Sequence, residues 1–325
     1  MKVPDEGSFF SIPLTTKFRG IMVREGMLFE GPAGWGEFSP FLEYDAAVAA
    51  PWLRCALEAA HGGWPAPVRT SIPVNVTVPA VGPDQAQRIV RAGGCRTAKV
   101  KVAETGQSLE EDEARIEAVR DALGAGGRIR VDANGGWTLE QAVTAIRLLD
   151  RAAGGLEYVE QPCRTVEELA ALRRKVDIPI AADESIRSAH DPYRVRDLEA
   201  ADVAVLKVQP LGGVVACLRI AEDIDMPVVV SSALETSIGI AAGVALAAAL
   251  PDLPYACGLA TVQLLTDDVA RDPLLPRDGE LPVVRPWVDQ GALARLRPSP
   301  ERTAAWSSRV AEVEALAATG QDRTP

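Results

Sequence analysis

The sequence contains few of the residues that build histidine- or cysteine-based metal sites. There are two histidines, His61 and His190, too few for a His-rich metal site, and five cysteines with no C-x-x-C pair among them. We interpret both histidines as surface residues. A phosphate-binding P-loop and the G-x-S-x-G elbow of serine hydrolases are also absent from the sequence.

Long apolar runs are missing as well. The longest, at 238–250, is rich in alanine and glycine and falls well short of the roughly 20 residues that a membrane helix needs. The amino terminus lacks the apolar core of a signal peptide, and an odd number of cysteines is typical of a reducing compartment. We therefore expect a cytoplasmic protein without a membrane span.

Acidic residues outnumber basic ones: the sequence has 34 lysines and arginines and 45 aspartates and glutamates, which gives a net charge of −11. Nucleic acids and anionic membranes would repel such a chain. The partner is therefore predicted to be a small molecule, and we expect the chain to be a monomer or a small homo-oligomer.

A repeating pattern of short β-branched strands and Ala-, Leu- and Arg-rich helical stretches begins near residue 72. Eight strands alternating with helices predict an α/β fold, a (β/α)₈ TIM-type barrel of parallel strands. A doubly wound open sheet is the rival, but its strands would not be expected to end so uniformly in polar residues. The predicted strands are VNVTVP, TAKVKV, RIRVDA, LEYVEQ, IPIAAD, VAVLKV, PVVVSS and YACGL.

The remaining sequence predicts a second, smaller domain. Residues 1–71 combine a hairpin-like pattern with one amphipathic helix, which indicates an α+β capping domain. After the last predicted strand the chain becomes proline-rich and then helical from about residue 299. We expect residues 276–325 to return to the capping domain and residues 72–275 to form the barrel.

Two lysines share one face of an otherwise apolar strand. Lys99 and Lys101 are two residues apart in TAKVKV, so their side chains point the same way. On its own this pattern could be a solvated strand face, because lysine is seldom buried without a partner. Carboxylates elsewhere in the chain decide between the two interpretations.

Three carboxylates end consecutive predicted strands: Asp132, Glu160 and Asp183. Parallel barrels place their active sites at the carboxyl ends of strands, so these side chains are expected to converge. Like charges about 4 Å apart repel by about 4 kcal/mol at an effective dielectric near 20, and a bound cation would relieve that repulsion. Any one of these acids could instead be a helix cap or a surface ion pair, but three in register predict a Mg²⁺ site, with Mn²⁺ as a possible substitute.

Lysines flank the predicted metal site on both sides, because Lys207 ends the sixth strand while Lys99 and Lys101 lie on the second. A lysine near a second ammonium and partly removed from water has its pKa lowered. Such a lysine can act as a base, while a metal ion stabilises the negative charge that develops on a substrate carboxylate when the neighbouring carbon loses its proton.

With these lysines and carboxylates, the sequence resembles the enolase superfamily, specifically its muconate-lactonizing subgroup. The motifs that carry the resemblance extend over nearly the whole chain: GWGEFSPF at 34–41, K-x-K at 99–101, VDANGGW at 131–137, VEQP at 159–162, ADES at 182–185 and LKVQPLGG at 206–213. Four further segments resemble the o-succinylbenzoate synthase family within that subgroup: EQPCRT at 160–165, SSALETSIG at 231–239, GLATVQLL at 258–265 and LPVV at 281–284.

This resemblance implies roles for the lysines and for a capping loop. Lys101 would remove the proton next to the substrate carboxylate and then protonate the departing hydroxyl, Lys99 would tune it, and Lys207 would stabilise the enediolate from across the ring. The metal would bind the three carboxylates named above. The segment 18–26 would cover the pocket.

The resemblance also implies substrate contacts. Asn134 would lie behind the metal ligands or touch the substrate. Ser231 and Ser232, after the seventh strand, could donate hydrogen bonds to the substrate; the alternative is a plain helix start with a serine as N-cap.

Three alternatives remain open. N-Succinylamino acid racemase or dipeptide epimerase chemistry needs one lysine on each face of an α-carbon, which Lys101 and Lys207 could supply. Cycloisomerisation is chemically related. A non-catalytic barrel would be expected to lack a lysine or a metal carboxylate, and this chain lacks neither.

Overall fold

The computed structural model describes residues 7–187 and 192–318, so His190 lies outside the described residues, whereas His61 is exposed. The strands are β1 (Ser8–Phe18), β2 (Ile21–Gly31), β3 (Gly34–Phe38), β4 (Ser71–Pro73), β5 (Val76–Val78), β6 (Thr97–Lys101), β7 (Arg128–Asp132), β8 (Leu156–Glu160), β9 (Ile180–Ala182), β10 (Val203–Lys207), β11 (Val228–Ser231) and β12 (Glu280–Pro282). The helices are α1 (Ala46–Leu57), α2 (Pro83–Gly93), α3 (Leu109–Leu123), α4 (Leu139–Ala153), α5 (Val166–Arg173), α6 (Glu184–Arg187), α7 (Arg194–Asp197), α8 (Val214–Ile224), α9 (Ser237–Ala249), α10 (Gln290–Arg295) and α11 (Pro300–Ala318).

An antiparallel sheet in the order β1-β2-β3 opens the chain and packs on α1. Glycine allows the close contact, because a Cβ added to Gly36 would lie 2.2 Å from the carbonyl oxygen of Ala56. Helix α11 also packs against α1, and the ring of its buried Trp306 meets Phe38 of β3 edge-on at a centroid distance of 6.3 Å. Residues from both ends of the chain therefore share one apolar core, which we call the cap core.

Seven parallel strands form the barrel wall, in the order β11-β10-β9-β8-β7-β6-β5. The helices between them begin where the sequence supplies capping boxes, in which a side-chain oxygen accepts from the third helical N–H and a Glu or Gln reaches back. Three consecutive helices, α3, α4 and α5, start in this way, after Ser108, Thr138 and Thr165. Each βα connection is thereby fixed close to a strand end, where the site residues lie.

The eighth predicted strand is replaced by a short closing segment. Cys257 forms a parallel bridge with Val74 and Gly258 forms one with Ser231, so the segment joins the two edges of the seven-stranded sheet. The prediction of a full strand at YACGL is wrong because the chain enters a 3₁₀ turn at Thr261–Leu264 almost at once. The barrel nevertheless closes.

In the part of the chain that the structure describes, no helix is both long and apolar enough to cross a membrane.

Candidate active site

A row of polar side chains crosses the carboxyl ends of three neighbouring strands. In the strand register Lys101 of β6 pairs with Asp132 of β7, and Asp132 pairs with Glu160 of β8. Lys99 lies two residues before Lys101, and its exposed fraction is only 5%. The two lysines of TAKVKV therefore face the barrel mouth with carboxylate partners, and a solvated strand face is ruled out for Lys99.

Lys99 and Lys101 are held by the acids of the row. Lys99 Nζ lies 2.9 Å from Glu160 Oε1 and 3.3 Å from Asp132 Oδ2, so one ammonium is shared by two carboxylates. Lys101 Nζ lies 2.5 Å from Asp132 Oδ2 and 2.7 Å from Asn134 Oδ1. The ring of Phe18, from the capping sheet, covers Lys101 with its centroid 5.6 Å from Nζ.

Asp183, just after β9, is paired on the other side of the mouth. Its Oδ2 accepts from Lys207 Nζ at 2.6 Å, and its Oδ1 accepts from Arg187 Nε at 2.8 Å. The side-chain amide oxygen of Gln161 accepts from the backbone N–H of Asp183 at 3.0 Å. The buried Gln161 of the VEQP motif thus links Glu160 to the position of Asp183.

The electrostatics of the site reflect this crowding. Asp132, Glu160 and Asp183 are all completely buried. Burial and the negative charge of Asp132 raise the pKa of Glu160 to about 7, against the opposing charge of Lys99. For Asp132 burial acts in the same direction, but the charges of Lys101 and Lys99 outweigh it and lower the pKa. Glu160 is therefore the acid of the set whose charge is least compensated.

The expected lowering of a lysine pKa does not hold for Lys99. Burial would lower the pKa of Lys99, but the charges of Glu160 and Asp132 outweigh burial and raise it. A second ammonium and the loss of water would both lower the pKa, but the strand register brings two carboxylates within 3.3 Å of Lys99 Nζ.

The carboxylates offer oxygen donors of the kind that a hard divalent cation prefers. Their fit to such an ion rests on this chemistry and on two observations. Glu160 shares its one ammonium partner, Lys99, with Asp132, and Glu184 Oε2 is a buried acceptor with no hydrogen-bond partner among the described residues. Within residues 7–187 and 192–318, however, no group of three or more His, Cys, Asp or Glu side chains is arranged to hold a metal. The carboxylates are instead turned onto lysine and arginine side chains.

A cavity lies between the barrel mouth and the capping sheet. It is lined by all three lysines, by the remaining predicted contact residues and by side chains of the cap: Lys99, Lys101, Lys207, Asn134, Ser231, Ser232, Phe18, Arg19 and Phe41. The three predicted carboxylates lie beneath this lining, bonded to the lysines.

The two serines do not begin the following helix. Thr236 is the N-cap of α9, whereas Ser232 Oγ shares a hydrogen bond of 2.8 Å with Thr261 Oγ1 and Ser231 lies at the end of β11. The interpretation of Ser231 or Ser232 as a helix cap is therefore wrong, and both side chains belong to the cavity wall.

Sequence reasoning missed two groups of the site. Arg187 lies one helical turn after Asp183 and bonds to it, and this spacing within ADESIR could have indicated the pair. Thr77 also lines the cavity; its register partner is Lys99, but a lone threonine in a strand carries no signal of its own.

Comparisons with known proteins agree with this architecture. Residues 83–288 match the family model described as Enolase C-terminal domain-like, and residues 9–60 match Enolase N-terminal domain-like. The chain is 65% identical over 309 residues to an o-succinylbenzoate synthase of Thermobifida fusca, covering 95% of this chain and 96% of that protein. It is 54% identical to an o-succinylbenzoate synthase of Mycolicibacterium smegmatis, covering 94% of each.

Among solved structures, the muconate lactonizing enzyme of Pseudomonas putida superimposes with a TM-score of 0.73 at 21% identity, covering 90% of this chain and 98% of that one. At that identity the likeness establishes the fold, a TIM-type barrel with an α+β cap.

Proposed function

The chain belongs to the enolase superfamily, and on this premise we propose that it catalyses the o-succinylbenzoate synthase reaction of menaquinone biosynthesis. The reaction is the Mg²⁺-dependent dehydration of 2-succinyl-6-hydroxy-2,4-cyclohexadiene-1-carboxylate by syn elimination of water, so the enzyme is a carbon–oxygen lyase. The observation that carries the proposal is the high identity to curated o-succinylbenzoate synthases along nearly the whole chain, joined to the lysines that line one cavity over buried carboxylates.

Enolase superfamily enzymes generally use a divalent metal, typically Mg²⁺. In this chain Asp132, Glu160 and Asp183 would hold Mg²⁺, or Mn²⁺ in its place. When bound, the ion supplies positive charge that stabilises the negative charge developing on the substrate carboxylate.

Lys101 is the proposed acid and base. As a neutral amine it takes the proton from the carbon next to the carboxylate, and the electron pair of that C–H bond is delocalised onto the carboxylate as an enediolate; the same pair forms the new ring C=C bond when the C–O bond breaks. The ammonium so formed then gives a proton to the hydroxyl that leaves from the same face, and water departs as the C–O bond breaks. One residue performs both transfers because both groups lie on one face of the ring.

The other two lysines act through their charge. Lys207, on the opposite side of the mouth and paired with Asp183, places an ammonium where it stabilises the enediolate. Lys99 shares its ammonium between Glu160 and Asp132 and so tunes the field at Lys101. Asn134 accepts from Lys101 and orients its amine.

The substrate is a small carboxylate, and Ser231 and Ser232 are proposed to contact it from the cavity wall. A cytoplasmic location and a monomeric or small homo-oligomeric state remain predictions. The location is supported by the five cysteines, all of which are buried and unpaired.

A second candidate is N-succinylamino acid racemisation or dipeptide epimerisation. The observation that favours it is that Lys101 and Lys207 line the same cavity and pair with different carboxylates, Asp132 and Asp183. Two amines that approach one carbon from opposite faces can remove and return its proton.

Incubation with Mg²⁺ in D₂O separates the candidates. The cyclohexadiene substrate is followed by its loss of ultraviolet absorbance, and N-succinyl amino acids are followed by exchange of the α-proton. We expect dehydration of the first compound. Exchange of the second compound without dehydration of the first would replace the synthase with the racemase.

A further inference from the structure

A second cluster of buried charged groups lies outside the carboxylate row, where the capping sheet meets the barrel. It comprises Arg24 on β2, Glu37 on β3, and Glu235 and Thr236 on the turn between β11 and α9, and none of these side chains is more than 3% exposed. The proposed reaction uses none of them. We call this cluster the latch.

Arg24 binds the turn through backbone carbonyl groups. Its Nε donates to the carbonyl oxygen of Leu234 at 2.9 Å, and its Nη2 donates to Ser39 Oγ at 2.9 Å and to the carbonyl oxygen of Ser39. A guanidinium is suited to this because its N–H groups form a rigid fork. One side chain of the cap thus fixes part of a barrel loop.

Glu37 binds the same turn from the next strand. Its Oε2 accepts from the backbone N–H of Gly239 at 2.9 Å and from the hydroxyl of Thr236, and its Oε1 accepts from Thr236 N at 3.3 Å. These N–H groups belong to the start of α9, where a carboxylate is favoured by the helix dipole. A Cβ on Gly239 would lie 2.9 Å from Glu37 Oε2, so glycine leaves room for the contact.

The turn that Arg24 and Glu37 hold is also a wall of the cavity. Ser232, Ala233 and Leu234 line it, and Leu234 has a φ of 69°, a left-handed conformation that costs a non-glycine residue about 1–3 kcal/mol and persists where surrounding contacts impose it. Arg24 bonds to the carbonyl of this strained residue.

We infer that Arg24 and Glu37 are positioning residues of the capping domain, which hold the turn 232–236 in the conformation that fits the substrate. The inference rests on the proposed function for what the substrate is, but the contacts themselves do not depend on it. The capping sheet then does more than cover the cavity, because it sets the shape of the barrel wall.

The same interface provides a matched control. Glu58, from the cap, accepts from Val214 N at 2.6 Å and from Val215 N at 3.0 Å at the start of α8. Its chemistry is that of Glu37, a cap carboxylate on a barrel helix, but neither Glu58 nor these two amides line the cavity. Loss of Glu58 is expected to weaken the interface without moving the turn.

The test compares Glu37→Gln with Glu58→Gln by amide hydrogen exchange and by kinetics with the cyclohexadiene substrate. In Glu37→Gln the glutamine NH₂ would face N–H and O–H donors, so we expect amide exchange at 233–239 to become about tenfold faster. We also expect KM to rise about tenfold with kcat less affected, because the wall contacts the bound substrate throughout the reaction. In Glu58→Gln the faster exchange is confined to 214–217 and KM stays within about twofold.

Equal KM values in the two variants, or unchanged exchange at 233–239 in Glu37→Gln, would overturn the inference. If Glu37→Gln fails to fold, Arg24→Lys serves instead, since a lysine cannot reproduce the forked contacts to Leu234 and Ser39, and the same rise in KM is expected. A wild-type enzyme without dehydratase activity would refute the proposed function, whereas the exchange pattern would still decide whether the latch holds the turn.

Discussion

Lys101 and Asp132 are partners in the register of two adjacent parallel strands, and their side chains meet with Lys101 Nζ 2.5 Å from Asp132 Oδ2. Together with Asn134 this contact directs the amine into the cavity, beneath the ring of Phe18. Backbone pairing therefore brings Lys101 beside Asp132, and the side chains of Asp132 and Asn134 then set the direction of the amine.

Replacing Lys101 tests its proposed role. Lys101→Ala removes the only group assigned to both proton transfers, so kcat for dehydration is expected to fall by about 10³-fold or more. The rate is measured by loss of substrate absorbance. Lys175→Ala, at an exposed position after α5, is the control and should leave the rate unchanged. Sustained dehydration in Lys101→Ala would remove this residue from the mechanism.

Metal removal tests the carboxylates. Dialysis against a chelator is expected to abolish dehydration, and added Mg²⁺ should restore it. Calorimetric titration with MgCl₂ should show binding to the wild type and much weaker binding to Asp183→Asn, because one oxygen ligand loses its charge. Asp177→Asn, on the surface, should bind like the wild type. Full activity in chelator, or equal Mg²⁺ affinity in the two variants, would contradict the proposed site.

Lys99 is expected to be a stability residue as well as part of the site. Its ammonium is shared by two fully buried carboxylates, and removing one partner of a buried ion pair typically costs 3–5 kcal/mol. In metal-free buffer, Lys99→Met should therefore lower the free energy of unfolding by about that amount in urea titrations. Saturating Mg²⁺ should reduce the deficit. A Lys99→Met variant as stable as Lys175→Met would show that the shared ammonium contributes nothing.

The raised pKa of the buried Glu235 predicts that the stability of the fold depends on pH. Burial and, to a smaller extent, the charge of Glu37 raise the pKa of Glu235 against the opposing charge of Arg24, to about 7, whereas an unfolded glutamate titrates near 4.3. Between those pH values the folded state keeps a proton that the unfolded state has lost. The stabilisation from this group is thus complete below about pH 4 and is lost as the pH rises through 7.

Urea titrations of the wild type and Glu235→Gln at pH 5 and pH 8 measure this effect. The free energy of unfolding should fall less between the two values in Glu235→Gln, with each unit of pKa shift worth about 1.4 kcal/mol. Identical falls in both proteins would mean that Glu235 has an ordinary pKa.

The candidate site was largely predictable because its residues lie at strand ends. Lys101, Asp132 and Glu160 follow a pattern of one polar group per β/α unit, and parallel pairing converts that pattern into adjacency. The direction of the Lys99 pKa shift was not predictable in the same way, since it depends on two carboxylates lying within 3.3 Å.

Contacts that depend on domain docking left no local signal. Arg24 and Leu234 are 210 positions apart, and nothing in the sequence around either residue indicates the other. The eighth strand was mispredicted for a related reason, because YACGL has strand-like residues but its extent is limited by the 3₁₀ turn that follows. The boundaries of the two domains at residues 71 and 275 remain predictions.

The cap core joins Phe38 and α1 to Trp306, Val310 and Val313 of α11. During synthesis, domains that come earlier in a chain usually fold first, but here β1–β3 and α1 lack part of their apolar interior until α11, which follows the barrel in the sequence, has been translated. The barrel residues lie between β3 and α11 in the sequence. They are therefore translated before the apolar core of the cap is complete.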